Sequence, residues 1–130
     1  MNMNPVANML NGIKNANRAL RESVIFPHSK LCYAIADKLS KEGFVGAISK
    51  KTRRGLPVIE VALIATDRIP KITDLKLVSK PSRRMYSGVH EIKPIRNGKG
   101  LLVLTTPKGI LTDKEARKEH VGGEVLFSIW

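Results

Sequence analysis

The sequence predicts an α+β fold in two small subdomains: an N-terminal α-β-α-β-β unit over 1–66 and a C-terminal, mostly β unit over 67–130 with one short helix. Three observations predict it. Apolar residues recur at helical spacing in two segments of the first half, and the other apolar runs are short, ending at Gly, Pro or charged turns as strands do. In the second half a capping-box pattern, Thr112 with Glu115, interrupts the strands. A chain of 130 residues suffices for one ordinary core or for two small units.

Asn4 suits an N-cap and Pro5 the first helical position, after which Val6, Met9, Leu10 and Ile13 mark a helix from about 5 to 19. Its other face carries Asn8, Asn11, Lys14, Asn15 and Arg18. A polar face without acids is either plain solvated surface or one that meets phosphates. Ser23 to Phe26 is a short strand stopped by Pro27. Ser29 then caps a second helix with Leu31, Ile35 and Leu39 on one face, Cys32 beside them as a packing residue, and Gly43 as its stop. Phe44 to Ile48 and Val58 to Ala65 read as strands joined by the basic turn Ser49 to Gly55, and Asp67 to Pro70 as a boundary.

In the second half a strand is expected over about 74–79, followed by the basic, aromatic-ended segment Lys80-Pro81-Ser82-Arg83-Arg84-Met85-Tyr86. Arg and Tyr together clamp a nucleic-acid backbone and stack on a base, although a lone Tyr also serves as a half-buried sheet residue. His90 to Gly100 reads as loop and turn, and Leu101 to Leu104 as a buried strand. The short capped helix follows, with Arg117, Lys118 and His120 in its last turn and Gly122-Gly123 as its end. Val125, Phe127 and Ile129 alternate as one face of a final strand.

The charge bounds the partner. Net +12, from 23 Lys and Arg against 11 Asp and Glu, favours polyanions through counterion release, so nucleic acid is the leading partner class. A membrane surface fits less well, because only 5% of the chain is aromatic and no basic helix faces Trp, Phe and Leu. No apolar run approaches the roughly 20 residues needed to span a bilayer, and no secretory signal opens the chain, so a soluble, cytoplasmic protein is expected. The lone Cys32 agrees with a reducing compartment. His28, His90 and His120 are scattered without ligand spacing, and Gly98-Lys99-Gly100 lacks the rest of a phosphate-binding loop. Neither a metal, nor a cofactor, nor an acid-base couple is nominated.

The most informative stretch is Thr105-Thr106-Pro107-Lys108-Gly109, where the buried strand gives way to hydroxyls, a proline, a lysine and a glycine. Hydroxyls, an ammonium and exposed amides suit phosphate and ribose oxygens but form no nucleophile-base pair. The bland alternative is a capped turn with no partner.

With these residues in view, the chain resembles the bacterial-type eighth protein of the small ribosomal subunit, ribosomal protein S-eight. Asn4-Pro5-Val6-Ala7-Asn8-Met9-Leu10 is similar to that family's opening helix, Pro27 through Leu31 to its entry into the second helix, and Thr105 to Asp113, Ala116-Arg117 and Gly122-Gly123-Glu124-Val125 to its C-terminal signature. The resemblance implies a two-domain, non-enzymatic protein that binds the central domain of small-subunit rRNA, beside neighbouring small-subunit proteins. It also implies repression of its own operon through a messenger segment that imitates the rRNA site. By the same resemblance, Thr105, Thr106, Pro107, Lys108, Gly109 and Tyr86 would meet the rRNA helix, with Gly122, Gly123 and Glu124 shaping that surface; Arg83 and Arg84 join them by residue type alone. Asn4, Lys14, Asn15, Ser29 and Lys30 would face rRNA from the N-terminal domain, and Arg18 joins them from the acid-free face of the first helix.

One departure stands out. The family loop commonly reads Ser-Thr-Ser before its Lys or Arg and Gly, whereas Pro107 holds the third place here and removes both a hydroxyl and a backbone N–H. Rival readings are a messenger-binding regulator acting off the ribosome and a small enzyme using Cys32 or a histidine.

Overall fold

A computed structural model describes residues 5–79, 85–88 and 100–130. Along the chain these divide into two compact units between Ile72 and Thr73. Asn4, Lys80 to Arg84 and the loop residues from His90 to Lys99 lie outside the described residues.

The first unit has the expected α-β-α-β-β order. Helix α1 (Pro5–Arg18) buries Met9, Leu10, Ile13 and Ala16, as its periodicity requires. It also buries Asn17, which the apolar pattern does not flag. The Asn17 side-chain amide donates to the Ile64 carbonyl at 3.2 Å, and its oxygen accepts from the Ile72 N–H at 3.1 Å. That pair of bonds satisfies a buried polar group and holds the unit's last residues to its first helix. Asp67 to Pro70, where the sequence suggests a boundary, belongs to a small hairpin of β4 (Ala65–Thr66) and β5 (Ile69–Pro70), with Asp67 and Arg68 as its turn.

Strand β1 (Ser23–Pro27) leads to α2 (Lys30–Lys41), capped as expected by Ser29, whose side chain accepts from the Cys32 N–H at 3.1 Å. The buried stripe of α2 is Cys32, Ile35, Ala36 and Leu39, whereas Leu31 is 43% exposed. This corrects the expected face. At about 100° per residue a stripe at i, i+3, i+4 and i+7 leaves Leu31 at its margin. Gly43, with φ 82, ends the helix, and Phe44 donates from its N–H back to the Leu39 carbonyl at 3.0 Å.

Phe44 to Ala47 is therefore connection rather than strand, with Phe44 and Val45 buried and Ala47 exposed. Strand β2 runs Ile48–Arg53 and β3 Leu56–Ala62, so most of the basic segment expected as a turn is itself strand. Only Arg54 and Gly55 turn, with φ 52 and 79, as a two-residue hairpin of positive-φ residues allows. The antiparallel sheet has the order β1-β3-β2, pairing Phe26 with Ile59 and Ile48 with Val61. A basic β2 is tolerated because it is an edge, where charge also discourages further pairing.

The second unit is built on β10 (Gly123–Ile129). Strands β6 (Leu75–Leu77) and β7 (Tyr86–Ser87) pair with its two halves on one side, β8 (Leu101–Thr106) lies on the other, and β9 (Gly109–Thr112) lies beyond β8. Helix α3 (Asp113–Glu119) begins with the expected capping box. The Thr112 hydroxyl accepts from the Glu115 N–H at 3.2 Å, and the Glu115 carboxylate accepts from the Thr112 N–H at 3.1 Å. Asp113 is buried and accepts from the Leu102 N–H and from Arg117, each at 3.2 Å, locking the helix to β8.

Two expectations are corrected here. Helix α3 ends at His120, which takes the left-handed conformation at φ 55, and not at Gly122-Gly123. Those glycines are needed where β10 begins, for a steric reason given below. Val125, Phe127 and Ile129 also do not share a face. Val125 pairs with Leu104 while Phe127 pairs with Val103, so Leu126 is an extra residue that breaks the alternation. The Leu126 carbonyl accepts from the Val78 N–H at 3.0 Å. As a result Val125 joins Leu104 and Ala116 in a buried cluster ringed by Val78, Leu102, Leu111 and Val121. Phe127 and Ile129 go with Val103 and Leu101 on the opposite face, all buried.

Candidate nucleic-acid interface

The bulge also decides what lies at the open end of the second unit's sheet. Across adjacent strands, Tyr86 on β7 pairs with Glu124 on β10, Glu124 with Thr105 on β8, and Thr105 with Ile110 on β9. Residues directly opposite in an antiparallel ladder point to the same face, about 4.8 Å apart between strands. Tyr86, Glu124 and Thr105 thus form one row, its aromatic end 69% exposed. A phenol ring, an acceptor-only carboxylate and a hydroxyl side by side can stack on an unstacked base, accept from a 2′-OH or base amine, and donate to an oxygen.

Two glycines let the row close. A Cβ on Gly123 would collide with the Thr105 carbonyl oxygen, and one on Gly122 with the Ser87 carbonyl oxygen. Their work is close approach of the strands, and through it the placing of Thr105, Tyr86 and Glu124. On the other side of Tyr86, the Ser79 hydroxyl accepts from the Met85 N–H at 2.8 Å and donates to the Met85 carbonyl at 3.3 Å. The sequence gives no sign of that bracket, because a serine after a short strand looks like ordinary loop.

The expected polar loop is a tight hairpin end. Thr106 pairs with Gly109, leaving Pro107 and Lys108 at the corner, where Pro needs no N–H partner. Gly109 has φ 108. The Thr106 hydroxyl donates to the Gly109 carbonyl at 2.9 Å and accepts from the Lys108 N–H at 3.1 Å. Thr106 therefore holds the turn, and of the two threonines it is Thr105 that lies in the row. Lys108 projects from the corner, its Nζ 3.1 Å from Glu119 Oε2, with the two side chains 54% and 49% exposed. No sequence pattern points to that partner, which lies at the far end of α3.

The remaining residues nominated by the sequence belong to the first unit. On α1, Asn15 and Arg18 are exposed and Lys14 is half-buried. Asn15 lines an open groove of about 540 Å³ with Gly12, Ala19, Arg21 and Ser23. At the start of α2, Lys30 is exposed, while the oxygen of Ser29 is already engaged as the cap. Asn4, Arg83 and Arg84 lie outside the described residues. Among the described residues no group of three His, Cys, Asp or Glu could hold a metal, and no helix is long and apolar enough to cross a membrane. Cys32 is a buried free thiol packed in the α2 stripe.

Fold and surface define a small, basic α+β binding protein of two units. Comparison with known proteins then places it. The family model of ribosomal protein S8 matches residues 4–130, and the chain belongs to that family, whose members are structural proteins rather than enzymes. Among curated relatives, the small ribosomal subunit protein uS8 of Persephonella marina is 45% identical, covering 97% of both chains. That of Caulobacter vibrioides is 42% identical over the whole of both. That of Novosphingobium aromaticivorans is 40% identical over 97% of this chain and 96% of its own.

Proposed function

We propose that this protein is a structural constituent of the small subunit of a cytoplasmic ribosome, where it binds the central domain of the rRNA directly and supports assembly beside neighbouring proteins. The observation that carries the RNA contact is the row Tyr86–Glu124–Thr105, set at the exposed end of a rigid sheet next to the Lys108 corner. Its mechanism is holding. The tyrosine ring stacks on a base that has left the helix, Glu124 and Thr105 exchange hydrogen bonds with ribose and base edges, and Lys108 meets a phosphate. The exposed amides and cations of α1, with Lys30, add phosphate contacts from the first unit, and Arg83 and Arg84, which precede Tyr86 in the sequence, add their charge. A net charge of +12 supplies the attraction common to all RNA, and the row supplies the preference for one RNA.

The test is binding of the purified protein to the isolated central-domain rRNA helix and to a scrambled duplex of equal length across a salt series. A preference that persists as salt rises supports the reading. Equal, steeply salt-sensitive binding to both overturns it. A messenger segment of its own operon that folds like the rRNA helix would be held by the same row, and competition between the two RNAs for one protein tests that role.

A further inference from the structure

The first unit carries a basic feature that the row and turn do not absorb. Strand β2 and its turn present Lys50, Lys51, Arg53 and Arg54, all exposed. Lys51 pairs with Glu60 at 2.8 Å, while Lys50, Arg53 and Arg54 have no carboxylate partner among the described residues. The register places these charges on both faces. Lys50 lies opposite the buried Ile59, on the face toward the core, and Lys51 and Arg53 lie opposite Val58 and Leu56, on the other face. Arg54 occupies the left-handed region at φ 52, where a side chain with a Cβ is strained and Asn or Gly would be preferred. A hairpin that keeps arginine at such a corner, charges both sides of its ribbon and leaves three cations without acids is built for polyanion contact.

We propose that the β2–β3 hairpin is a second RNA-binding site that grips phosphates without reading sequence, its contact resting on the RNA-binding function proposed above but made by different residues. The composition favours RNA backbone over an acidic protein. Protein interfaces rely on aromatic anchors in their buried centre, and Ser49 to Pro57 contains no aromatic residue. The same stretch has no Asn, Gln or aromatic side chain, and its cations and the Ser49 and Thr52 hydroxyls suit phosphate and ribose oxygens; arginine also reads a guanine edge, so the ratio between two RNAs is what decides for the backbone. The edge position in the order β1-β3-β2 leaves β2 without a further strand beside it.

The experiment measures binding of full-length wild type and of the triple variant Lys50→Gln, Arg53→Gln, Arg54→Gln to a central-domain rRNA transcript and to a scrambled duplex, each over a salt series. Removing three phosphate contacts lowers the log–log salt slope by about two to three and weakens binding on the order of tens-fold at physiological salt. Because backbone contact carries no sequence information, both RNAs lose alike and the ratio between them stays constant. The charge-preserving variant Lys50→Arg, Arg53→Lys, Arg54→Lys restores the slope, and an unfolding midpoint close to wild type for both variants shows that the fold is intact. An unchanged slope in the folded triple variant overturns the second site while leaving the row at Tyr86 untouched. A loss confined to the rRNA transcript overturns the sequence-independent grip. Failure of wild type to prefer the transcript would strike the proposed function instead, since the triple variant does not enter that comparison.

Discussion

Lys108 and Glu119 form an ion pair at 3.1 Å between the corner of a hairpin and the last turn of a short helix. The pair holds the ammonium at the end of α3 and, in doing so, competes with any phosphate for it. Both side chains are about half exposed, so solvent screens the attraction to a few tenths of a kcal/mol, at most about 1. Glu119→Gln should therefore raise RNA affinity by no more than about fivefold, chiefly by removing a competitor. Lys108→Ala should weaken binding and lower the salt slope by roughly one charge's share. Salt titrations of both variants check the pair, and equal slopes for wild type and Lys108→Ala would argue against a phosphate at Lys108.

Thr105 and Thr106 are neighbours with different tasks. The Thr106 hydroxyl closes the turn through Gly109 and Lys108, so Thr106→Val breaks two hydrogen bonds and should destabilise the unit by about 1–2 kcal/mol. Thr106→Ser keeps the bonds and should restore most of the stability. Thr105→Val, in contrast, should leave the unfolding midpoint nearly unchanged and reduce the preference for the specific RNA, with little effect on salt slope. A denaturation series beside the binding series distinguishes the two. If Thr105→Val discriminated between RNAs as well as wild type, its place in the contact row would be lost.

What could be read in the sequence was what local chemistry determines. The Ser29 cap, the Thr112–Glu115 box and the helical spacing of Met9, Leu10 and Ile13 depend on near neighbours, and each appears in the structure. The bulge at Leu126 could not be read, because Val125, Phe127 and Ile129 alternate without fault in the sequence and only the pairing partners break them apart. The burial of Asn17 was hidden for the same reason, since its partners Ile64 and Ile72 are distant in sequence. At the candidate site, Thr105, Lys108 and Tyr86 were nominated by residue type. The row that makes neighbours of Tyr86, Glu124 and Thr105 is a matter of register, which no short motif encodes.

Gly123 marks where register and sterics meet. Its α-carbon faces the Thr105 carbonyl so closely that any Cβ would force β8 and β10 apart. Gly123→Ala should thus cost about 3 kcal/mol, the upper end of the usual range for overpacking, because the obstacle is backbone. Because the strain acts on the pairing of Glu124 with Thr105, RNA preference should fall even under conditions where the variant remains folded. Thermal unfolding together with binding at low temperature reads both effects, and a variant with wild-type stability would show that the strands adjust around the methyl group.

Ser79 offers a route to Tyr86 that does not touch the ring. Its hydroxyl holds both backbone groups of Met85, and the Met85 carbonyl in turn accepts from the Val125 N–H at 2.8 Å, so β7 is held against β10 from two directions. Ser79 is only 7% exposed, and Ser79→Ala leaves the Met85 N–H without that acceptor, at a cost of about 1–3 kcal/mol. Tyr86→Ala should remove base stacking of about 1–3 kcal/mol, with little loss of stability because the ring is exposed. If Ser79 acts on RNA only by positioning the tyrosine, its effect on binding should vanish in the Tyr86→Ala background, while its effect on stability persists. A double-mutant cycle measured by both binding and unfolding separates the two readouts. Additive losses in binding would mean that Ser79 supports the surface by some path other than Tyr86.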